Sequence, residues 1–277
     1  MSSARQVPSH PVARQPTRTP GRRRSPPRGR PSGGSVKGGS RCLVVAATGS
    51  QSLDERLWLT EQAATAGADA LLVVTPYYSQ PPQRGLIRYM QWVASTVPHL
   101  PILLCHILGR AGVSVTVDTL LAMKDACDNP VGVKHASADV DFVSDLMART
   151  SGEFTALVGL EHLTLPMLAA GASGMVNALA NIAPRDIVAL FEAVDHSDLN
   201  TARRLSAALH ELNRAILWDT NPIALRYMMR WLGLLARNEH RLPMVPADPA
   251  LEARPDAALE RARRNPELMF GASSPRP

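Results

Sequence analysis

Six short aliphatic runs, each followed by a helical pattern, constrain this chain more than any other feature. The runs are 42–47 (CLVVAA), 70–75 (ALLVVT), 101–106 (PILLCH), 130–134 (PVGVK), 154–158 (FTALV) and 173–177 (SGMVN). Between them lie amphipathic stretches near 53–66, 82–97, 116–127, 139–150 and 161–170. The runs are nearly all apolar rather than alternating, which suits parallel strands covered on both faces. A repeat of about 25–30 residues per strand-helix unit signals βα units. After residue 184 the strand patterns stop. Helical patterns near 184–195, 198–218 and 221–235 follow, then a Pro-rich "RLPMVPADP" and a charged helix near 248–264.

Six units are an awkward number. A closed (β/α)8 barrel needs eight strands, typically within about 250 residues. Two further units would have to come from residues 1–41, and that segment has no strand pattern. It carries nine Arg, one Lys and no acid, whereas residues 42–277 hold 20 basic and 24 acidic side chains. The net charge of +6 and the pI of 9.7 therefore belong to the first segment. Its Pro/Gly/Ser/Arg composition offers too little apolar surface to offset the entropy of ordering. "GRRRS" is followed by no adequate apolar region, so an export signal is not expected. A solvated tail, or translated sequence upstream of the real start, is preferred to a nucleic-acid contact, since no aromatic residue is interleaved to stack on bases. Three cysteines without CxxC spacing (Cys42, Cys105, Cys127) suggest reduced thiols in a cytoplasmic protein. No membrane span is expected.

Lys134 is the residue that asks for an explanation. It follows Val131-Gly132-Val133 at the end of a core strand, where a lysine is either snorkelling to water or held for its chemistry. With a reference pKa near 10.4, only about one lysine in 2,500 is neutral at pH 7. Apolar surroundings that lower the pKa by roughly three units would make about a quarter nucleophilic, and "VGV" is expected to supply them.

The ordered set "AATGSQS" (46–52), "GADALLVVTPYYSQPPQRGL" (67–86), "LPILLCHILGRAGV" (100–113), "VGVKHASAD" (131–139) and "WDTNPIALRYMMRWLGL" (218–234) resembles the dihydrodipicolinate synthase/N-acetylneuraminate lyase family. These are pyruvate-dependent class I aldolases, and the resemblance covers roughly residues 42–250. It implies an α/β fold: a TIM (β/α)8-type barrel, here lacking its first two βα units and so with about six parallel strands, followed by a C-terminal helical domain. The corresponding division is a disordered tail over 1–41, an incomplete barrel over 42–183, a helical domain over 184–265 and a second disordered tail over 266–277.

By the same resemblance Lys134 forms a Schiff base with the keto carbon of pyruvate. Tyr78 would belong to a proton relay and Tyr77 would stack across a dimer contact. Arg110 matches the arginine that grips the carboxylate of aspartate semialdehyde, a task its planar fork suits. Gly159 and Val176 match backbone positions lining the pyruvate pocket. No metal or organic cofactor is implied, because the lysine itself is the electron sink. The partners implied are pyruvate, an aldehyde and further copies of the chain, as a dimer or tetramer.

Two departures stand beside the resemblance. Where the family has a tyrosine that shuttles protons, this chain has Cys105, followed by His106 in place of the usual asparagine. A thiol transfers protons but is shorter than a phenol. The family's "TTGE"-type loop, whose backbone N–H groups hold pyruvate's carboxylate, has no counterpart before Cys42. Three readings thus stay open from the sequence: a dihydrodipicolinate synthase-like lyase, an aldolase or hydratase-aldolase with another acceptor, and an impaired remnant or scaffold (including a truncated or misassigned frame).

Overall fold

The structure, a computed structural model, describes residues 42–270. The tail expected over 1–41 and residues 271–277 of the second tail lie outside them. The described residues fall within one compact unit.

Six strands form a single sheet in the order β1 to β6: Val45–Ala47, Ala70–Val74, Ile102–His106, Pro130–His135, Thr155–Val158 and Gly174–Met175. Every neighbouring pair is parallel. Each strand lies beside the next in sequence, so the sheet winds in one direction and curls as a half-barrel, with β1 and β6 at its edges among the described residues. Helices α1 (Leu53–Thr65), α2 (Gln83–Thr96), the short α3 (Leu108–Ala111), α4 (Val117–Ala126), α5 (Val140–Thr150) and α6 (Thr164–Ala169) connect them.

Local chemistry starts these helices where the sequence says it should. Thr116 and Asp139 accept from the N–H groups of Thr119 and Phe142, at 3.2 and 3.1 Å, capping α4 and α5. The expected element near 161–170 divides into a 3-10 turn, Glu161–Leu163, and α6. Helix α3 was not expected. It is a single turn closed by Gly112 in the left-handed region, φ 73°, where glycine carries no steric cost.

One core lies between the sheet and the helices. Leu71, Val73, Ile102, Leu104, Val133, Ala156 and Val158 pack there against Leu86, Met90, Leu120, Phe142 and Leu146. Successive side chains of a strand point to opposite faces, so Leu103, Cys105, Lys134 and Leu157 belong to the concave face. A bulge at Ile102/Leu103 leaves Val131 without a partner on β3. This corrects the expectation for "VGV": Val133 points into the helix layer, away from Lys134, and Val131 is the bulged residue.

A second core is built by α7 (Pro184–Asp195), α8 (Leu199–Ala215), α9 (Ile223–Trp231) and α10 (Pro249–Arg264). Met175 and Val194 pack against both cores. Asp198 and Asp248 cap α8 and α10 through the N–H groups of Thr201 and Leu251. The packed chain runs past the boundary expected at residue 265: Leu268 and Phe270 are buried in this second core, and the Met269 N–H donates to Asp186 at 2.6 Å. The expected disorder from residue 266 is therefore corrected for 266–270, where apolar side chains three and five residues past Asn265 find the helix surfaces. Among the described residues no helix is long and apolar enough to cross a membrane.

Candidate active site

The chemistry-bearing groups gather at the carboxyl ends of the strands, where parallel βα folds present their loops. Lys134 is half-buried near the end of β4. Its register partners are Cys105 on β3 and Leu157 on β5. The three share the concave face, with Gly159 just beyond Leu157. A Cβ on Gly159 would stand 2.7 Å from Ala136 Cβ and 2.9 Å from Lys134 Cε. Only a glycine leaves room there for the lysine stem to lie flat against the backbone.

Cys105 is 8 % exposed. Burial pushes its thiol above the usual range, and the Lys134 charge acts in the opposite direction. The thiol is thus a neutral donor beside an amine. Val176 follows β6, and its N–H donates to Val158 O at 2.9 Å, which aligns it with Gly159 on the neighbouring strand.

The remaining expected residues lie on loops. Arg110, on α3, is exposed, and its Nη2 donates to Asn221 O at 2.9 Å. The "WDTNP" segment thus anchors the arginine on the loop that leaves the carboxyl end of β3. Tyr77 is 39 % and Tyr78 88 % exposed. Tyr78 has φ 70°, a left-handed conformation uncommon outside glycine, and its side chain stands out in solvent within the single chain. Lys134, Cys105 and Gly159 are brought together. Tyr78 is not packed against them.

Two polar clusters escaped the sequence reading. The first is Arg56, fully buried on α1. Its Nε donates to Tyr89 Oη at 2.9 Å, and its Nη2 donates to Ser50 O and Val74 O at 2.6 and 2.9 Å. Tyr89 Oη also donates to Ser50 O, at 3.1 Å. This clamp ties the loop after β1 to the end of β2, immediately before the two tyrosines. Burial lowers the Arg56 pKa, partly opposed by Tyr89, and raises that of Tyr89. The second cluster is His106 with His135, both buried, their Nδ1 atoms 3.1 Å apart. They are register partners one residue beyond Cys105 and Lys134. Alternation puts them on the opposite face, against Phe142, which stacks on His135 at 4.3 Å. The two histidines were visible in "CH" and "KH", but only the strand register shows that they meet.

The fold thus places a half-buried lysine beside a glycine and a buried thiol at the carboxyl end of a central strand in a curled sheet of parallel βα units. Residues 36–262 match the dihydrodipicolinate synthetase family, and the chain belongs to it. It is 42 % identical over 221 residues to the 4-hydroxy-tetrahydrodipicolinate synthase of Thermus thermophilus, covering 80 % of this chain and 74 % of the relative. Identity to the corresponding synthase of Aquifex aeolicus is 36 % over 212 residues, 76 % of this chain and 71 % of that one. The crystal structure of dihydrodipicolinate synthase from Aquifex aeolicus superposes with a TM-score of 0.79 at 34 % identity, over 84 % of this chain and 77 % of that chain. The synthase of Methylacidiphilum fumariolicum superposes with a TM-score of 0.78 at 37 % identity, over 81 % and 74 %.

Proposed function

We propose that the chain is a Schiff-base-forming, pyruvate-dependent lyase of the 4-hydroxy-tetrahydrodipicolinate synthase type. The observation that carries this reading is the Lys134 stem lying between Gly159 and Cys105 on the concave face, at the carboxyl edge of the sheet. Neutral Lys134 Nζ attacks C2 of pyruvate. Proton transfer gives a carbinolamine, which loses water to form the imine. The Cys105 thiolate left when its proton goes to the departing hydroxyl takes a C3 methyl proton, giving an enamine. The enamine C3 attacks the aldehyde carbon of the acceptor, and the thiol's proton passes to the aldehyde oxygen. The Cys105 thiol is the neighbouring group for proton transfer to the departing hydroxyl, a role worth about 10²–10⁴-fold when well placed. Gly159 and Val176 line the pyruvate side. Arg110 faces the carboxylate of aspartate semialdehyde.

The same reading makes the sheet part of a TIM-type barrel over residues 42–183 and the helices of 184–265 an accessory domain. Tyr77 and Tyr78, exposed in the single chain, then contact a second copy in a dimer or tetramer, with Tyr78 delivered into the partner's relay. A cytoplasmic setting suits the three free thiols.

Cys105, standing where the family has a tyrosine, is the one feature on the side of a second acceptor chemistry, an aldolase or hydratase-aldolase using another aldehyde. The deciding experiment is a condensation assay of pyruvate with aspartate semialdehyde against a panel of aldehydes lacking a carboxylate. The synthase reading expects aspartate semialdehyde to be preferred at least 10-fold, with the preference lost in Arg110→Ala. Equal turnover of uncharged aldehydes by both proteins overturns it in favour of the second chemistry.

A further inference from the structure

The hydrogen bonds around His106 and His135 determine where every proton of the pair sits. At one end the Val115 N–H points at His106 Nε2, 3.3 Å away, and Ser114 Oγ lies 3.1 Å from the same nitrogen. A backbone N–H only donates, so Nε2 is an acceptor and the ring's proton is on Nδ1. At the other end His135 Nε2 is 2.9 Å from Asp139 O. A carbonyl only accepts, so Nε2 carries a proton and His135 Nδ1 is free to accept when the ring is neutral. The two ends independently require the same arrangement across the 3.1 Å gap: His106 Nδ1–H donates to His135 Nδ1. Ser114 Oγ–H then donates to His106, His106 to His135, and His135 to Asp139. The relay is complete with both rings neutral, and a further proton on either ring sets N–H against N–H.

These bonds join two segments of the proposed site. Ser114 and Val115 end the loop that carries Arg110. His135 follows Lys134, and Asp139 caps α5 through the Phe142 N–H. His106 O accepts from Ala136 N at 2.8 Å, and His135 O from Gly159 N at 2.8 Å, so the same two residues also hold the backbone around Lys134 and Gly159. We propose that His106 and His135 are a proton-ordered pair of positioning residues that fixes the Arg110 loop to the Lys134 strand and so sets the acceptor site against the nucleophile. The proposal deepens the lyase reading and rests on it for its kinetic part.

The test has two arms. In the first, nitrogen-15 histidine spectra of the whole chain at pH 7 read the tautomers directly. The expected result is one buried ring protonated on Nδ1 and the other on Nε2, their identities fixed by the single variants. A cationic ring, or the same tautomer in both, overturns the proposal. In the second arm, His106→Asn keeps a donor towards His135 and loses the acceptor for Ser114 and Val115. His106→Gln keeps that acceptor and loses the donor. His106→Asn is expected to raise the KM for aspartate semialdehyde about 10-fold, the worth of one buried hydrogen bond. Borohydride-trapped pyruvate on Lys134 should stay within about 2-fold in both variants. His106→Gln, which breaks the bond to His135 instead, should also raise the acceptor KM, since either variant interrupts the chain from Ser114 to His135. An acceptor KM unchanged in either variant, or parallel loss of trapping and acceptor binding, overturns the positioning role. If the wild-type protein shows these tautomers yet traps no pyruvate on Lys134, the lyase reading fails and takes the kinetic role with it, leaving the proton order standing.

Discussion

Gly159 shows how much the site depends on single atoms. A methyl group there would press on Ala136 Cβ as well as Lys134 Cε, and the alanine cannot swing aside as the lysine stem can. Gly159→Ala is expected to cost about 1–3 kcal/mol in urea denaturation and to slow pyruvate trapping at Lys134. Unchanged stability and trapping would mean that the backbone is looser than described. His106 yields a pH prediction. Burial first, and then neighbouring His135, push it down to about 4, against a smaller raising effect of Asp139; the unfolded value is near 6.5. Between about pH 6.5 and 4 the unfolded chain binds more protons. Stability should therefore fall with pH across that window, by about 3 kcal/mol in total, and be unaffected by this group above it. The groups that bear on the pair are Asp139 and the Ser114 hydroxyl. Comparing urea midpoints at pH 7 and 4.5 in the wild-type protein and His106→Asn isolates the effect, since the variant should lose the share due to His106 and keep that of His135, which burial also pushes down. Lys134 and Gly159 were legible in sequence because a motif carried them. The histidine pair was not, because its meaning lies in the cross-strand register Cys105↔Lys134, His106↔His135.

At the scale of elements, the apolar runs and the helical periodicity marked β2 to β5 and α7 to α10 to within a few residues. Helix α1 is the instructive exception. Its buried face carries Arg56 and Thr60 while Trp58 is 39 % exposed, so hydrophobic periodicity points at the wrong side. The reason is that the loop after β1 and the end of β2 present carbonyls, and a guanidinium with a rigid fork satisfies them better than an apolar side chain. Arg56→Lys is expected to destabilise by about 2–3 kcal/mol, because one ammonium cannot reach Tyr89, Ser50 and Val74 together. A thermal melt matching wild type would contradict this. Residues 266–270 teach the converse lesson. Their charged and Pro-rich context reads as a tail, yet Leu268 and Phe270 are buried. Phe270→Ala should cost about 3–5 kcal/mol, measurable as a lowered urea midpoint, whereas a true tail would show no change.

For the whole molecule, function follows from direction. All six strands run the same way, so their carboxyl ends collect Cys105, Lys134, Gly159 and Val176 at one edge, and the connecting loops bring Arg110 to it. The helix layer supplies the rigid backing, through one core on the sheet and a second joined to it by Met175 and Val194. The number of parallel strands and the family were legible from the ordered motifs. The exposed setting of Tyr78 was not, because a side chain that finds no partner within one chain leaves no pattern in its sequence. The central claim, that Lys134 is a living nucleophile, is tested most directly by incubating the protein with pyruvate, reducing with borohydride and mapping the modified residue by mass. The account predicts a pyruvate-derived adduct on Lys134, absent in Lys134→Ala. A folded protein without that adduct, or with the same adduct in the variant, would contradict it.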